Sequence, residues 1–520
     1  MSNQSVKKIV IVGGGSAGWL AAGYLAAEHQ AQSESGIKVT LIESPNVPTI
    51  GVGEGTWPTM RETLDKIGVS ETDFFRRCEA SFKQGAKFCR WVTGEADDAY
   101  YHPLVIPNGY TKTDLVQPWQ AHRDKIAFAD AVCFQSHLCE QGKAPKQITT
   151  PEYASVANYA YHLNAPKLGE FLKEHCTQNL NVELIVDHVT KIHNDKDGYI
   201  ETLSTEKHGE IAGDLFIDCT GLKSLLLGSH YQIPFISRQD ILFNDSALAV
   251  QVPYQHPDDP IASHTISTAQ SAGWIWDIGL PSRRGVGYAY ASDYISDEAA
   301  EKELRAYIQQ KLPAEKVAQL STRKIKFNPG HREKFWHKNC VALGMSAGFL
   351  EPLEASALVL VELAVAKISQ DLPANREMMA ISAKRFNQLF EYRWQRIIDF
   401  LKLHYVLTQR TDTPYWVDNC KPETIPESLQ EMLRFWRHQP PSPHDFTHIN
   451  EVFPSASWQY ILYGMGFKTQ SSPTERRSVD ASKAMGFFQE TVQTTHQYLA
   501  ALPTNRELIN KILEFGLQRI

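Results

Sequence analysis

The chain has 520 residues, 42% hydrophobic and 21% charged, the balance of an ordinary water-soluble globular protein. A net charge of −7 with no lysine- or arginine-rich block excludes a polyanion-binding surface, so no nucleic-acid partner is expected. Its eight cysteines are scattered without a CxxC pair, which reads as reduced thiols rather than a disulfide framework or zinc site, and no metal is expected.

The run KKIVIVGGGSAGW opens the chain order. An apolar strand ends at Val12, Gly13 and Gly15 turn sharply, and an alanine-rich helix starts at Ser16 with Gly18 in its first turn. Such a turn brings backbone close to a pyrophosphate and points free helix N–H groups at it. A second apolar run, IKVTLIE, ends in Glu43, the acid expected about 20 residues on to bind a ribose hydroxyl. The alternating glycines of GVGEGTWPTM suit close approach to a flat ligand before another helix.

Residues 92–150 are rich in polar residues and proline and read as an inserted loop-and-helix segment. Strands are expected in VELIVDHVTKI, YIETLST and DLFIDCTG, where Asp218 precedes a second glycine turn. From about 240 to 292 apolar and polar residues alternate, as in an antiparallel sheet. CVALGMSAGFLEPLEASALVLVELAVAKI then gives a strand, a tight turn and a buried helix. Residues 375–413, free of Gly and Pro, read as helix, and the last 100 residues as mostly helical.

The fold class is α/β: a Rossmann-like FAD-binding module, like that of flavin monooxygenases, with an antiparallel sheet and a mostly helical C-terminal substrate module. The expected division is 1–372 for flavin and 373–520 for substrate. No leader and no apolar run long enough to span a bilayer are read, so a cytoplasmic location without membrane attachment is expected. A homodimer is expected only from the general habit of soluble enzymes.

The ordered set GGGSAGW, GVGEGTWPT, the lysine of ASFKQGAKF, WIWDI and GFLEPLEAS, with NYAYHLNA, FNDSALAVQVP and RTDTPYW, resembles the flavin-dependent tryptophan halogenases from Val10 to roughly Gly466. The resemblance implies an FADH2-dependent halogenase fed by a separate flavin reductase. FADH2 and oxygen form a C4a-hydroperoxide, chloride or bromide is oxidised to hypohalous acid, and this halogenates an electron-rich aromatic at a second site. Lys83 matches the catalytic lysine, as hydrogen-bond donor or haloamine, and Glu354 the glutamate near it. FAD is implied at Gly13, Gly14, Gly15, Ser16, Ala17, Gly18, Glu43, Ser44, Ile50, Val52, Gly53, Asp218 and Leu350. Halide is implied at the backbone amides of Ser356 and Ala357, and a tunnel at Trp274, Trp276 and Ile278. Substrate contacts are implied at His102, Leu104, Phe446 and Trp458.

Local chemistry offers alternatives. Lys83 in an apolar run is either buried for a purpose or a strand-end side chain reaching solvent. The two tryptophans at period two also describe one face of a buried strand. Gly279 stands where the family has proline. Ala357 replaces a family glycine, a change expected to restrict φ at the halide site. Asp445, Phe446 and Val452 replace the residues that grip the amino-acid head of tryptophan, so a bare indole, a larger aromatic or a tryptophan residue within a peptide is expected rather than free tryptophan. The alternative function is a flavin-dependent monooxygenase or oxidase of an aromatic compound. A non-catalytic flavin-binding protein is a third reading, disfavoured by the presence of both Lys83 and Glu354.

Overall fold

The computed structural model describes residues 5–47, 53–470 and 480–519. The chain forms two compact units that interleave along the sequence. The first comprises Met1–Ala80, Leu163–Arg238 and Asn328–Trp394; the second comprises Ser81–His162, Gln239–Phe327 and Gln395–Ile520.

A six-stranded sheet organises the first unit, in the order Trp336–His337, Cys340–Ala342, Leu215–Asp218, Lys8–Val12, Lys38–Glu43, Glu183–Val186. All pairings but the outermost Trp336–His337 are parallel. Lys8–Val12 is central and Ile9 to Val12 are buried, which explains its unbroken apolar run. The helix Ser16–Glu28 follows, with Trp19, Leu20, Ala21, Ala22 and Leu25 fully buried. Register pairs Val12 with Asp218 and Asp218 with Ala342, so three strand ends share one edge of the sheet. Ligands in open parallel sheets bind beyond such carboxyl ends.

The second unit is built on a seven-stranded sheet, in the order Thr322–Lys326, Ser246–Pro253, Arg283–Tyr290, Gly273–Gly279, Thr265–Ala269, Gly85–Cys89, Ala99–Pro103. Its pairings are antiparallel except that of Thr265–Ala269 with Gly85–Cys89. One face packs Leu248, Val250, Val252, Ile275, Val286 and Tyr288 against Leu304 and Ile308 of the helix Asp297–Gln309. Alternation then sends Trp274, Trp276 and Ile278 to the opposite face.

The segment 92–150 holds a strand that its composition does not announce. Ala99–Pro103 is an edge strand with Tyr100 and His102 inward, ended by proline, so it lacks the aliphatic alternation of its neighbours. The Gly- and Pro-free stretch forms the helix Arg376–Val406 and stops short of 413. All eight cysteines are free thiols.

Candidate active site

The glycine turn of the first unit has the shape a dinucleotide needs. Gly13 has φ +116°, and a Cβ there would lie 2.2 Å from the Cys219 carbonyl oxygen. A Cβ at Gly18 would lie 1.9 Å from the Gly13 carbonyl oxygen, so only glycine lets the helix start so close to the turn. At Gly14 a Cβ would strike the Glu43 side chain, which places the acid across the loop. In front of Gly15, which caps the helix, nothing lies within 4 Å. Ser16 and Ala17 open that helix with N–H groups that no helical carbonyl can reach. The residues present therefore fit a pyrophosphate.

Glu43 ends its strand and accepts from Lys173 Nζ at 2.6 Å, in a half-buried pair. Ser44 Oγ lies 3.1 Å from His188 Nδ1. Gly53 has φ +139° and Leu350 is buried. Ile50 and Val52 lie outside the described residues.

Asp218 plays an inward part. It is fully buried, and its carboxylate accepts from Thr220 N and Oγ1, Ser224 Oγ, Leu226 N, Leu227 N and Ser346 Oγ at 2.6–3.3 Å. With every lone-pair direction occupied, this side chain organises the turn behind the cofactor edge instead of reaching a ligand.

Lys83 lies in the short strand Ser81–Lys83 and is 4% exposed, which rules out the solvent-reaching alternative. The strand pairs antiparallel with Ala160, Tyr161 and His162, with Lys83 opposite Ala160 and Ser81 opposite His162. Its backbone is anchored on three sides. Ser81 Oγ donates to the Gly279 carbonyl at 2.5 Å, Asn505 Nδ2 donates to the Phe82 carbonyl at 3.2 Å, and Gln84 N donates to the Ser263 carbonyl at 2.7 Å. His162 is fully buried, with Nε2 2.8 Å from Thr265 Oγ1. Burial first, then the charge of Lys83, hold its pKa well below the ordinary value, so it stands neutral beside the lysine. Gly279, in the family's proline position, thus supplies the carbonyl that fixes Ser81. A side chain there would meet Ile261 and Tyr254.

Glu354 sits on a different kind of backbone. Glu354 (φ 64°, ψ 5°) and Ala355 (φ 55°, ψ 43°) are consecutive left-handed residues without a glycine between them. They lead into the helix Ser356–Gln370. Ser356 has right-handed torsions (φ −77°, ψ −11°), and a left-to-right step of this kind turns successive N–H groups toward one concavity that suits an anion. Ser356 is buried and Ala357 exposed. Ala357 lies within the first turn, where helical torsions suit alanine, so the expected restriction from losing glycine does not arise there. Glu351, the other acid of the segment, is buried at 2% exposure.

Trp274, Trp276 and Ile278 share one face of their strand and are all buried. The two indoles meet at 6.2 Å between centroids. Trp276 lies over Gly287, its cross-strand partner, where a Cβ would come within 2.1 Å of the indole.

The substrate candidates fall in an aromatic cluster of the second unit. Phe400 stacks on Phe453 at 3.7 Å and meets Trp458 edge-on at 4.9 Å; His102 lies 5.8 Å from Phe400. Trp458 is 1% exposed, donates Nε1–H to the Phe453 carbonyl, and touches Trp436 and Phe446. Leu104 stands at the end of this wall, its N–H donating to Gln135 and its carbonyl accepting from Asn158. Asp445 accepts from Trp436 Nε1 and from Ser442 N and Oγ, and Val452 is buried.

Sequence reasoning assigned no role to Ser81, Trp57, Gly287 or Asn505. The first two lie inside the quoted motifs. Asn505 is 423 residues from its partner Phe82, and no local pattern carries that contact.

The glycine cradle at a parallel sheet edge and the lysine buried on its own strand fit the class that the resemblance implies, the flavin-dependent halogenases. The family model described as tryptophan halogenase matches residues 8–480. The tryptophan 6-halogenase SttH of Streptomyces toxytricini is 32% identical over 96% of this chain and 99% of its own length, and its crystal structure superposes with TM-score 0.88. The tryptophan 7-halogenase RebH of Lentzea aerocolonigenes is 31% identical over 83% of this chain and 82% of its own. A crystal structure of a tryptophan halogenase from Shewanella frigidimarina is 50% identical over the full length of both chains, with TM-score 0.96. The chain belongs to the tryptophan halogenase family and is a flavin-dependent halogenase. These comparisons favour that reading over the monooxygenase one. Among the described residues no helix is long and apolar enough to cross a membrane.

Proposed function

We propose that this protein halogenates an indole-like aromatic lacking a free amino-acid head, through Lys83 and Glu354. The observation that carries the reading is Lys83, a lysine buried on an anchored strand, within a chain that belongs to this family over nearly its whole length. Bound reduced FAD, delivered by a separate flavin reductase, supplies with oxygen the oxidant that turns chloride or bromide into hypohalous acid. Gly13 to Gly18 would hold its pyrophosphate, Glu43 and Ser44 the ribose side, and Gly53 and Leu350, with Ile50 and Val52, the flavin. Asp218 acts one step removed, through the turn it ties together.

Ser356 and Ala357 offer the halide their backbone N–H groups. Trp274, Trp276 and Ile278 keep the organic substrate from the flavin side. Lys83 either donates a hydrogen bond to the hypohalous acid or bears the halogen on its amine. When halogen adds to a ring carbon, one proton must leave that carbon, and the Glu354 carboxylate is the base assigned to take it. Residues 1–372 hold the flavin and include the inserted sheet and the Lys83 and Glu354 site, and 373–520 supply most of the aromatic wall, with His102 and Leu104 added from the first part. A homodimer remains the expected assembly, to be tested by sedimentation.

Support for a headless substrate comes from Asp445 and Val452. Asp445 is already engaged by Trp436 and Ser442, and Val452 is a buried hydrocarbon with no polar group to offer an ammonium or carboxylate. Each unmet polar contact costs about 1–3 kcal/mol, or roughly 10- to 100-fold. Mass spectrometry of products from indole and tryptophan, with a generic flavin reductase, NADH, FAD and bromide, tests this. Halogenated indole should dominate. Efficient, regioselective turnover of free tryptophan would refute the substrate assignment.

A further inference from the structure

We propose that Trp57 is the positioning residue of Glu354. The inference rests on the reading of Glu354 as the carboxylate that takes the ring proton. Trp57 Nε1–H donates to the Glu354 carbonyl at 2.8 Å. That carbonyl belongs to the peptide plane between Glu354 and Ala355, whose orientation depends on ψ of Glu354 and φ of Ala355. Both torsions lie in the left-handed region, disfavoured for residues with a Cβ. A plane under such strain needs an outside contact to stay in place.

The indole is itself firmly based. The Trp57 carbonyl accepts from Met60 N at 3.0 Å at the start of the helix Thr59–Lys66. That helix is tied in turn to Ser356–Gln370: Thr59 Oγ1 and Thr63 Oγ1 donate to the two oxygens of buried Glu362 at 3.3 and 2.7 Å. Two points on one segment, Trp57 and the threonine pair, thus hold two points on the other, Glu354 and Glu362. The threonines set the distance between the helices, and the indole sets the one peptide plane from which the Glu354 side chain is aimed. On the opposite side the turn is closed by Ala355 N donating to the Pro352 carbonyl at 3.0 Å.

Trp57→Phe keeps an aromatic ring and removes the N–H; Trp57→His restores a ring donor. Hydrogen exchange is the first readout, because it does not depend on turnover. In Trp57→Phe the amides of 353–358 should exchange about 10-fold faster, the scale of one lost hydrogen bond, while the Ser81–Lys83 strand is unchanged. Unchanged exchange at 353–358 would overturn the proposal. In turnover, Trp57→Phe should lower aromatic halogenation about 10-fold with halide KM unaltered, and Trp57→His should recover part of it. The loss should be absent when Glu354 is already Gln, since the two residues act as one. Losses that multiply in Trp57→Phe/Glu354→Gln would also overturn it. Native protein yielding no halogenated product from any aromatic would instead refute the halogenase reading, leaving the exchange result alone to decide whether Trp57 holds the Glu354 peptide plane.

Discussion

Lys83 and Glu354 are held by contrasting backbones. Lys83 lies in extended strand that any residue adopts, and its precision comes from neighbours: Ser81 on the Gly279 carbonyl, Asn505 on the Phe82 carbonyl, Gln84 on the Ser263 carbonyl. Glu354 lies in a turn of two successive left-handed residues, half-buried, held through its own carbonyl by Trp57. A buried lysine can be fixed cheaply because burial leaves its long chain few alternatives. A half-buried carboxylate at a helix start has water available to it, so its direction is fixed through torsions that carry strain of about 1–2 kcal/mol per residue.

The largest effect should fall on the strained side. Glu354→Gln keeps the shape and removes the base, so product formation should drop by about 10²-fold or more at constant flavin oxidation. An unchanged rate would remove the carboxylate from the chemistry. On the strand side, Ser81→Ala and Asn505→Ala should each lower product formation about 10-fold, because each leaves a buried carbonyl without its donor. Retention of full activity by both would mean that the strand needs no anchors. Ala355→Gly separates the two designs most cleanly. Glycine at φ 55° relieves strain, so stability to denaturant should rise by about 1 kcal/mol while halogenation falls a few-fold. A loss of stability would show that this turn is not strained.

The smallest expected effect concerns pH. Burial pushes Glu362 up to about 8 against the opposing pull of the Thr63 and Thr59 hydroxyls. Between its ordinary carboxylate value and that point the folded chain keeps a proton that the unfolded chain has lost. Stability therefore falls as pH rises through this window and levels off above it. Glu362→Gln cannot ionise, so its thermal midpoint should exceed the native one at about pH 8 and approach it near pH 4, with activity little changed. Equal midpoints at both pH values would contradict a buried neutral Glu362.

The same contrast governs what can be read from residues in order. The first unit's sheet was legible because Ile9 to Val12 are buried, apolar and followed by Gly13 at φ +116°, and the strand ending at Glu43 carries buried Val39, Leu41 and Ile42. The Lys83 strand was legible through its apolar neighbours, but the burial of the lysine itself was not, since a strand-end lysine reaching solvent fits the same residues. The turn before the Ser356 helix was legible, but its left-handed torsions were not, because these usually announce themselves by glycine and here fall on glutamate and alanine. Asp218 carried the right signal for a cofactor edge but not its direction, since nothing local reveals that six donors converge on it. The edge strand Ala99–Pro103 escaped because its inward residues are Tyr100 and His102 rather than aliphatic ones.

Lys83 offers the most direct test. Lys83→Ala should be supplied with reduced flavin, oxygen, bromide and indole, with a soluble 1,3-diketone present to capture free hypobromous acid. The diketone should still be brominated, because halide oxidation belongs to the flavin side, while regioselective bromoindole disappears. Bromoindole formed at the native rate and position would contradict the role assigned to this lysine and with it the two-site account.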